Sequence, residues 1–155
     1  MARELPGSVV NSLRVLALIV AASGVTTALT WVMRDDLIRS WMKGNASAIE
    51  IFNQGGIEAL RDNQITPGFV AIAVVAFVGL ALHVLVVAAF FVGGYGWARI
   101  VLTATAAVVV LVAGTALGMD LPAAFVVCAA VLVLLGLVLV FFLWRKETTA
   151  YLREV

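Results

Sequence analysis

Four long stretches of this chain contain no charged residue, and this feature constrains the fold more than any other. The stretches cover residues 15–33, 63–98, 100–119 and 121–144. A helix needs about 20 predominantly apolar residues to cross the hydrocarbon core of a bilayer, and each stretch reaches about that length. The sequence therefore predicts helices that span a membrane.

Composition points to the same class of protein. Hydrophobic residues make up 64% of the chain and charged residues 12%, whereas an ordinary soluble domain has about 25% charged residues. The mean hydropathy is +1.14, and a soluble protein of 155 residues could not bury that much apolar surface. In a bilayer the backbone must satisfy its own hydrogen bonds, which favours helices. We predict an all-α polytopic membrane protein, a four-transmembrane-helix bundle that forms one domain over residues 1–155.

Turn signals divide the apolar stretches into spans. The stretch 63–98 is too long for one span and too short for two. Pro67 suits the first turn of a helix, and Gly93-Gly94 interrupts its far end. These signals predict spans near 11–33, 67–92, 97–118 and 122–144, with an external loop at 34–66.

The segment "GGYGWARI" at residues 93–100 predicts a short turn at the membrane surface. Its glycines permit a tight reversal, and the rings of Tyr and Trp prefer the level of the lipid headgroups. Arg99 lies one turn inside the third span and can extend back toward the phosphates, although a binding role for it is the alternative. The predicted interfacial anchors are Trp97, Arg99, Trp144 and Arg145.

Basic residues predict the orientation. Four spans place both termini on one side, which carries six basic residues, Arg3, Arg14, Arg99, Arg145, Lys146 and Arg153. The loop side carries four, Arg34, Arg39, Lys43 and Arg61. Basic residues in short segments beside the spans favour the cytoplasm. We predict a multi-pass protein of a bacterial plasma membrane with both termini cytoplasmic. The N-terminal apolar stretch is expected to be an uncleaved span, because it is longer than the apolar h-region of a signal peptide and shows no clear cleavage site.

The external loop contains two amphipathic segments. Leu37, Ile38 and Trp41 recur at helical spacing in the first, and the second begins with a capping-box pattern and reaches Gly55-Gly56, which predicts its end. One or two short helices on the outer leaflet are expected. They form either a lid over the mouth of the bundle, which the pattern favours, or a docking surface for a partner.

His83 is the one ionisable side chain deep within a predicted span. Hydroxyl groups at similar depth could accept a hydrogen bond from its imidazole. This candidate polar site comprises His83, Ser23, Thr26, Thr27, Thr103 and Thr105. The favoured interpretation is a neutral imidazole bonded in the bundle core, and a proton relay or ligand contact is the alternative. One histidine without a nearby carboxylate makes a poor metal site.

Small and acidic residues supply three further hypotheses. Gly114-x-x-x-Gly118 permits close approach of two helices, within the bundle by preference or between protomers. Asp120 before Pro122 predicts the N-terminal signal of the fourth span. Asp35-Asp36 is expected to cap or solvate the end of the first span rather than to catalyse a reaction.

Several activities lack the residues that their chemistry needs. A thiol oxidoreductase requires paired cysteines and a four-helix haem carrier paired histidines, but the chain has one cysteine and one histidine. A small multidrug transporter needs a carboxylate inside a span, and no Asp or Glu lies within a predicted span. The sequence also contains no zinc-binding motif and no phosphate-binding glycine loop. The net charge of +1 does not favour nucleic acid as a partner. We expect no cofactor and no catalytic residue.

Two segments carry a resemblance to small four-span membrane proteins of actinobacteria. These are "GYGWARIVL" at 94–102 and "LWRKETTAYLREV" at 143–155, which are similar to the WAR turn and the YLR or YFR end of those proteins. The turn here lacks their usual run of arginines, and the tail lacks a proline before the tyrosine. The resemblance implies a four-span fold and a membrane location.

The functional expectation is a non-enzymatic accessory or scaffold subunit. The chain would pack in the lipid bilayer against another membrane protein or a second copy of itself. The alternative is a small transporter or channel subunit that uses His83 and the hydroxyl groups in the membrane. A lipid-acting enzyme that uses Asp35-Asp36 is a third interpretation.

Overall fold

Seven helices build the part of the chain that the structure describes. The computed structural model describes residues 5–153, so Arg3 and the last two residues of the C-terminal motif lie outside it. The four long helices are α1 (Gly7–Val32), α4 (Phe69–Val92), α5 (Gly96–Leu117) and α6 (Ala123–Leu143). The three short ones are α2 (Arg34–Lys43), α3 (Ala46–Arg61) and α7 (Lys146–Arg153).

The four long helices confirm the predicted spans, because each is long and apolar enough to cross a membrane. Their first residues differ from the prediction in two places. Helix α1 begins at Gly7 rather than near residue 11, since the extended backbone of Pro6 sets its start. Helix α4 begins at Phe69, with Gly68 as N-cap. Pro67 thus precedes the helix, and the prediction that it occupies the first turn is wrong.

The long helices form a ring in which each contacts two neighbours. Helix α1 packs against α4 and α6, and α5 packs against the same two helices. Short connections join α4 to α5 and α5 to α6, as in an up-and-down bundle. We call the end of the bundle with the chain termini the terminal end, and the end that carries α2 and α3 the loop end.

Gly136 and Gly24 lie at close contacts between spans. A Cβ atom at Gly136 would lie 2.5 Å from Val110 Cγ2, and one at Gly24 would lie 3.2 Å from the ring of Phe77. Gly114, in contrast, has no atom within 4 Å of such a Cβ among the described residues. The prediction that Gly114-x-x-x-Gly118 joins helices within the bundle is therefore wrong, because this stretch of α5 is exposed on the outside.

Helix α7 closes the terminal end of the bundle. The Tyr151 hydroxyl donates a hydrogen bond to the carbonyl of Val92 at the end of α4. Thr148 Oγ1 lies 2.9 Å from Ser8 Oγ of α1, and Arg99 of α5 donates to Thr149 Oγ1 at 3.1 Å. The main hydrophobic core lies next to these contacts, in the terminal half of the spans.

Helices α2 and α3 pack together and lie over the loop end. Ile38, Ala48 and Leu60 form their buried centre, and Arg61 Nη2 lies 2.7 Å from Asp35 Oδ2. The hydrogen bond from Arg61 to Asp35 raises the pKa of the Arg61 guanidinium, and the attraction between their charges adds to this effect. Asp35 therefore holds α3 against α2 by an ion pair.

Contacts between α2 and the turn after α5 favour the lid over the docking surface. The Ser40 hydroxyl donates to the Asp120 carbonyl, and Lys43 Nζ lies 2.6 Å from Asp120 Oδ2. Pro122 is the N-cap of α6 and makes no side-chain cap bond. The prediction that Asp120 caps α6 is therefore wrong, because its carboxylate pairs with Lys43.

Helix α3 continues beyond the glycines that were expected to end it. Gly56 adopts φ 68° and ψ −161°, which kinks the helix, and the chain then remains helical to Arg61. The N-cap is Asn45, whose side chain accepts a hydrogen bond from the Ala48 amide. The predicted stop at Gly55-Gly56 is therefore a kink, since glycine tolerates the positive φ that bends the helix.

Candidate functional site

His83 and Thr105 meet between α4 and α5. His83 Nε2 lies 2.8 Å from Thr105 Oγ1, which brings these two predicted residues together. The imidazole is exposed on the outer surface of the bundle, in contrast to the predicted core position. The cause is the position of His83 around the helix axis: the buried face of α4 is formed by Val84, Val87 and Phe91, and His83 lies beside that face.

The hydroxyl groups of the candidate polar site bond mainly to their own helices. Four threonine side chains donate to the carbonyl four residues earlier, at distances of 2.8–3.0 Å; they are Thr26, Thr27, Thr103 and Thr105. This local bond satisfies a hydroxyl within a spanning helix. Thr103 also accepts from Trp144 Nε1. The six predicted residues thus do not converge on one site, although His83 and Thr105 pair with each other.

A cavity lies in the loop half of the bundle, where the main core does not extend. Its volume is about 350 Å³, and all four spans contribute to its wall. The lining residues are Ser23, Thr26, Ala76, Leu80, Val108, Val109, Val112, Ala113, Ala116, Leu121, Phe125, Ala129 and Leu132. We call this the apolar cavity, since Ser23 and Thr26 supply its only hydroxyl groups among these residues. The Ser23 hydroxyl makes no hydrogen bond within residues 5–153.

The apolar cavity opens between α4 and α5 toward the surroundings of the bundle. Val108 and Val112 on α5 are both 61% exposed, whereas Phe125 and Ala129 on α6 are buried at 7% and 5%. The exposed residues thus mark the open side and the buried ones the closed wall. The His83–Thr105 bond joins α4 to α5 one helical turn from the cavity residues Leu80 and Val108, so it bounds this opening toward the terminal end.

A polar crevice adjoins the apolar cavity at the loop end. Its lining residues are Asp36, Arg39, Ser40, Lys43, Asp120, Leu121 and Pro122. Leu121 lines both the crevice and the apolar cavity. Arg39 is exposed and makes no hydrogen bond or ion pair with any other residue in the described range. The crevice therefore offers a free guanidinium beside the end of an apolar wall.

The predicted interfacial anchors lie together at the terminal end. The Arg99 guanidinium stacks on the Trp144 ring at 4.3 Å, and that of Arg145 lies 5.5 Å from the Phe141 ring. Trp97 and Trp144 are 46% and 53% exposed, as suits rings at the surface of a bilayer. Arg99 bonds to Thr149 of α7, so it joins α5 to α7 within the molecule.

Helix α5 carries a row of exposed residues along its outer side. The row is Ile100, Ala104, Ala107, Leu111, Gly114 and Gly118, and all six are exposed. They recur at alternating intervals of four and three residues, which is the spacing of a heptad repeat. We call this row the α5 seam. Four of its six members are alanine or glycine, so the backbone of α5 is accessible along it.

Sequence reasoning did not identify the apolar cavity, the polar crevice or the role of α7. The alanines at positions 113, 116 and 129 were a signal for the cavity, because small residues facing one another leave space between helices. The heptad spacing of the α5 seam could also have been read from the sequence. Among residues 5–153, no group of three or more His, Cys, Asp or Glu side chains is arranged to hold a metal ion.

Comparisons with known proteins supply no relative. No protein-family model matches the chain, and neither a curated protein nor a solved structure shows significant similarity to it.

Proposed function

We propose that this protein is a non-enzymatic accessory or scaffold subunit that binds a transmembrane helix along the α5 seam. The main observation behind the proposal is that the backbone at Gly114 is uncovered. A Cβ atom added to this glycine would have no described atom within 4 Å. The bound helix belongs to another membrane protein or to a second copy of this chain. In either case the partner contributes a transmembrane helix, which would make the same type of contact with the α5 seam.

The physical argument starts from what drives helix association in lipid. Apolar side chains gain little from leaving lipid for a protein interface, so helices associate chiefly through close packing of their backbones and side chains. Alanine and glycine at the α5 seam permit that close approach, and Ile100 and Leu111 can fill the spaces between residues of the facing helix. The seam extends about 27 Å at about 1.5 Å per residue, which is close to the thickness of the hydrocarbon core.

The polar groups give less support to a transporter. A transport path needs polar groups that line a continuous route across the membrane. In the described part of the chain, the threonine hydroxyls are bonded to their own helices. His83 lies outside the core, α7 covers the terminal end and α2 contacts the turn at the loop end. These observations favour the accessory role.

The location belongs to the same proposal. The excess of basic residues beside the spans on the side of the termini supports a bacterial plasma membrane protein with cytoplasmic termini. The resemblance to small actinobacterial membrane proteins is compatible with this location and stays a prediction. The proposal needs no cofactor and no catalytic residue.

Gly114→Leu tests the proposal, with Gly79→Leu as matched control. Gly79 of α4 also has no atom within 4 Å of an added Cβ among the described residues, so both changes place a leucine on the outside of a span. We expect affinity purification of the tagged protein in mild detergent to recover a bound membrane protein or a homo-oligomer. Gly114→Leu should reduce its yield at least tenfold, and Gly79→Leu should leave it unchanged.

Two results would contradict the accessory role. One is equal recovery of the bound protein with Gly114→Leu and with the parent. The other is a proton or solute flux across reconstituted vesicles that the parent supports and His83→Gln abolishes, because such a flux would indicate a transporter.

A further inference from the structure

We propose that the apolar cavity binds one acyl chain of a phospholipid from the leaflet at the loop end. The phosphate of that lipid binds Arg39 in the polar crevice. This inference concerns a different surface from the α5 seam and does not depend on the accessory role.

The lining of the apolar cavity selects a hydrocarbon chain. Its volume of about 350 Å³ falls in the range of about 300–1,000 Å³ typical of ligand sites. Its wall contains no charged side chain, and the Thr26 hydroxyl already donates to the Ala22 carbonyl. A charged or strongly polar molecule would lose its hydration there and could recover a hydrogen bond only from the Ser23 hydroxyl. A saturated or monounsaturated chain meets no such cost.

The position of the opening selects a lipid as the source of that chain. At the terminal end the space is filled by buried core residues such as Ile19, Leu102 and Leu139. At the loop end, Lys43 and Asp120 hold α2 against the turn between α5 and α6. The open side lies between α4 and α5, where Val108 and Val112 are exposed in the middle and loop-end parts of a candidate membrane-spanning helix. Acyl chains of neighbouring lipids surround that opening.

The polar crevice supplies a site for the lipid phosphate. Leu121 belongs to both walls, so the crevice adjoins the cavity and lies near the polar end of a lipid whose chain occupies the cavity. Lys43 is already paired with Asp120, whereas Arg39 has no partner among residues 5–153. An arginine can bind phosphate oxygens through two parallel hydrogen bonds.

The acidic residues of the crevice limit its charge preference. Asp36 and Asp120 balance Arg39 and Lys43, so the crevice has no net charge. A lipid with an anionic headgroup is therefore expected to bind with little more affinity than one with a zwitterionic headgroup. We expect phosphatidylethanolamine and phosphatidylglycerol with the same chains to bind with affinities within about threefold of each other.

Cavity-filling variants test the acyl-chain site. Ala129→Leu and Ala116→Leu each place a larger side chain in the wall of the cavity, and Ala130→Leu is the matched control on the exposed side of α6. The probe is palmitoyl-oleoyl phosphatidylethanolamine added to delipidated protein in detergent and counted by native mass spectrometry. We expect one bound lipid per chain for the parent and Ala130→Leu, and at least tenfold weaker binding for both cavity variants.

A melting measurement separates a loss of lipid binding from a loss of folding. Each variant is melted without lipid first, and a variant that retains a cooperative transition is compared in binding. Added lipid should raise the melting temperature of the parent and of Ala130→Leu, and it should leave that of the folded cavity variants unchanged. A parent that retains no lipid, or folded cavity variants that bind lipid as the parent does, would overturn the acyl-chain site.

Arg39→Gln tests the phosphate contact, with Arg34→Gln as control. Arg34 is also an exposed arginine of α2 but does not line the crevice. We expect Arg39→Gln to weaken phosphatidylethanolamine binding at least fivefold and to leave the binding of the matching diacylglycerol, which lacks a phosphate, unchanged. Equal binding of the phospholipid by Arg39→Gln and by the parent would overturn the assignment of the phosphate to Arg39.

Discussion

Gly136, whose side chain is a single hydrogen atom, lets α6 pack closely against α5. A Cβ atom at this position would lie 2.5 Å from Val110 Cγ2 and 3.4 Å from the Ala106 carbonyl oxygen. Real Cβ atoms do not approach a neighbour as closely as 2.5 Å, so Val110 or the helix itself would have to move. The packing of these two spans, whose contact is the most extensive in the bundle, thus depends on Gly136.

Gly136→Ala is expected to destabilise the bundle by about 1–3 kcal/mol, the usual cost of adding a methyl group to a packed interior. Gly114→Ala is the control, because its added methyl group meets no described atom within 4 Å. The measurement is the free energy of unfolding of the purified protein in a denaturing-detergent titration. Equal stability of Gly136→Ala and the parent would show that α5 and α6 adjust without cost.

The two glycine sites also show what a sequence pattern can predict at this scale. Gly114 and Gly118 form a recognised spacing and were predicted to pack within the bundle, yet they lie outside. Gly136 has no such partner in sequence, because its close contact is with Val110 on another helix. Which side of a span faces its neighbours depends on the rotation of the helix about its axis. In a uniformly apolar helix such as α6, the sequence contains almost no signal for that rotation.

At the scale of elements, α7 joins the ends of all four spans. It bonds to α1 through Ser8, to α4 through Val92, to α5 through Arg99 and to α6 through Phe142. Its side chains differ in burial, since Thr148 and Tyr151 are buried whereas its first residues are exposed. This short helix therefore stabilises the terminal end by satisfying polar groups that the spans leave there.

Thr148→Val is expected to destabilise the bundle by about 1–3 kcal/mol, because it leaves the buried Ser8 hydroxyl without its hydrogen-bond partner and removes one bond to the Phe142 carbonyl. The Thr148 hydroxyl lies 2.9 Å from both the Phe142 carbonyl oxygen and Ser8 Oγ. It can donate to the carbonyl and accept from the serine at the same time. Thr115→Val is the matched control, because the exposed Thr115 hydroxyl bonds within its own helix. Thermal unfolding in detergent measures both, and equal melting temperatures would contradict a structural role for Thr148.

The sequence predicted elements well where apolar length decides and poorly where tertiary contacts decide. Four spans follow from the cost of charge in lipid, and each was found. No helix was predicted over residues 146–153, because eight residues give too short a pattern to predict a packed helix. The kink at Gly56 was taken for a helix end, since glycine is compatible with either and the packing of α3 on α2 determines which one forms.

For the whole molecule, the described bundle has contacts across both ends and an opening on one side. Helix α7 lies at the terminal end and α2 at the loop end, while the apolar cavity opens between α4 and α5. The class of protein could be predicted from composition, and the number of spans from the uncharged stretches and the turn signals between them. The apolar cavity could not, because it depends on how far α4 and α5 separate in the loop half, and no local pattern encodes that separation.

Orientation is tested by two cysteine variants in a Cys128→Ala background. Asn53→Cys places a thiol on the exposed surface of α3, and Glu147→Cys places one on the exposed surface of α7. Six basic residues against four favour cytoplasmic termini. A membrane-impermeant maleimide should therefore label Asn53→Cys in intact cells and Glu147→Cys only after permeabilisation. The reverse pattern would invert the topology, and labelling of both in intact cells would contradict an even number of spans.

The contacts of α7 also bear on the order in which the protein is assembled during its synthesis. Ser8 lies near the start of the described chain, and its partner Thr148 lies near the end. A chain that leaves the ribosome from its N-terminus can insert all four spans before residues 146–153 are free to fold. Until then the carbonyl of Val92 and the side chain of Arg99 lack their bonds to α7. The newly inserted bundle is thus expected to be more accessible to quality-control proteases at its terminal end, and to become resistant when α7 docks.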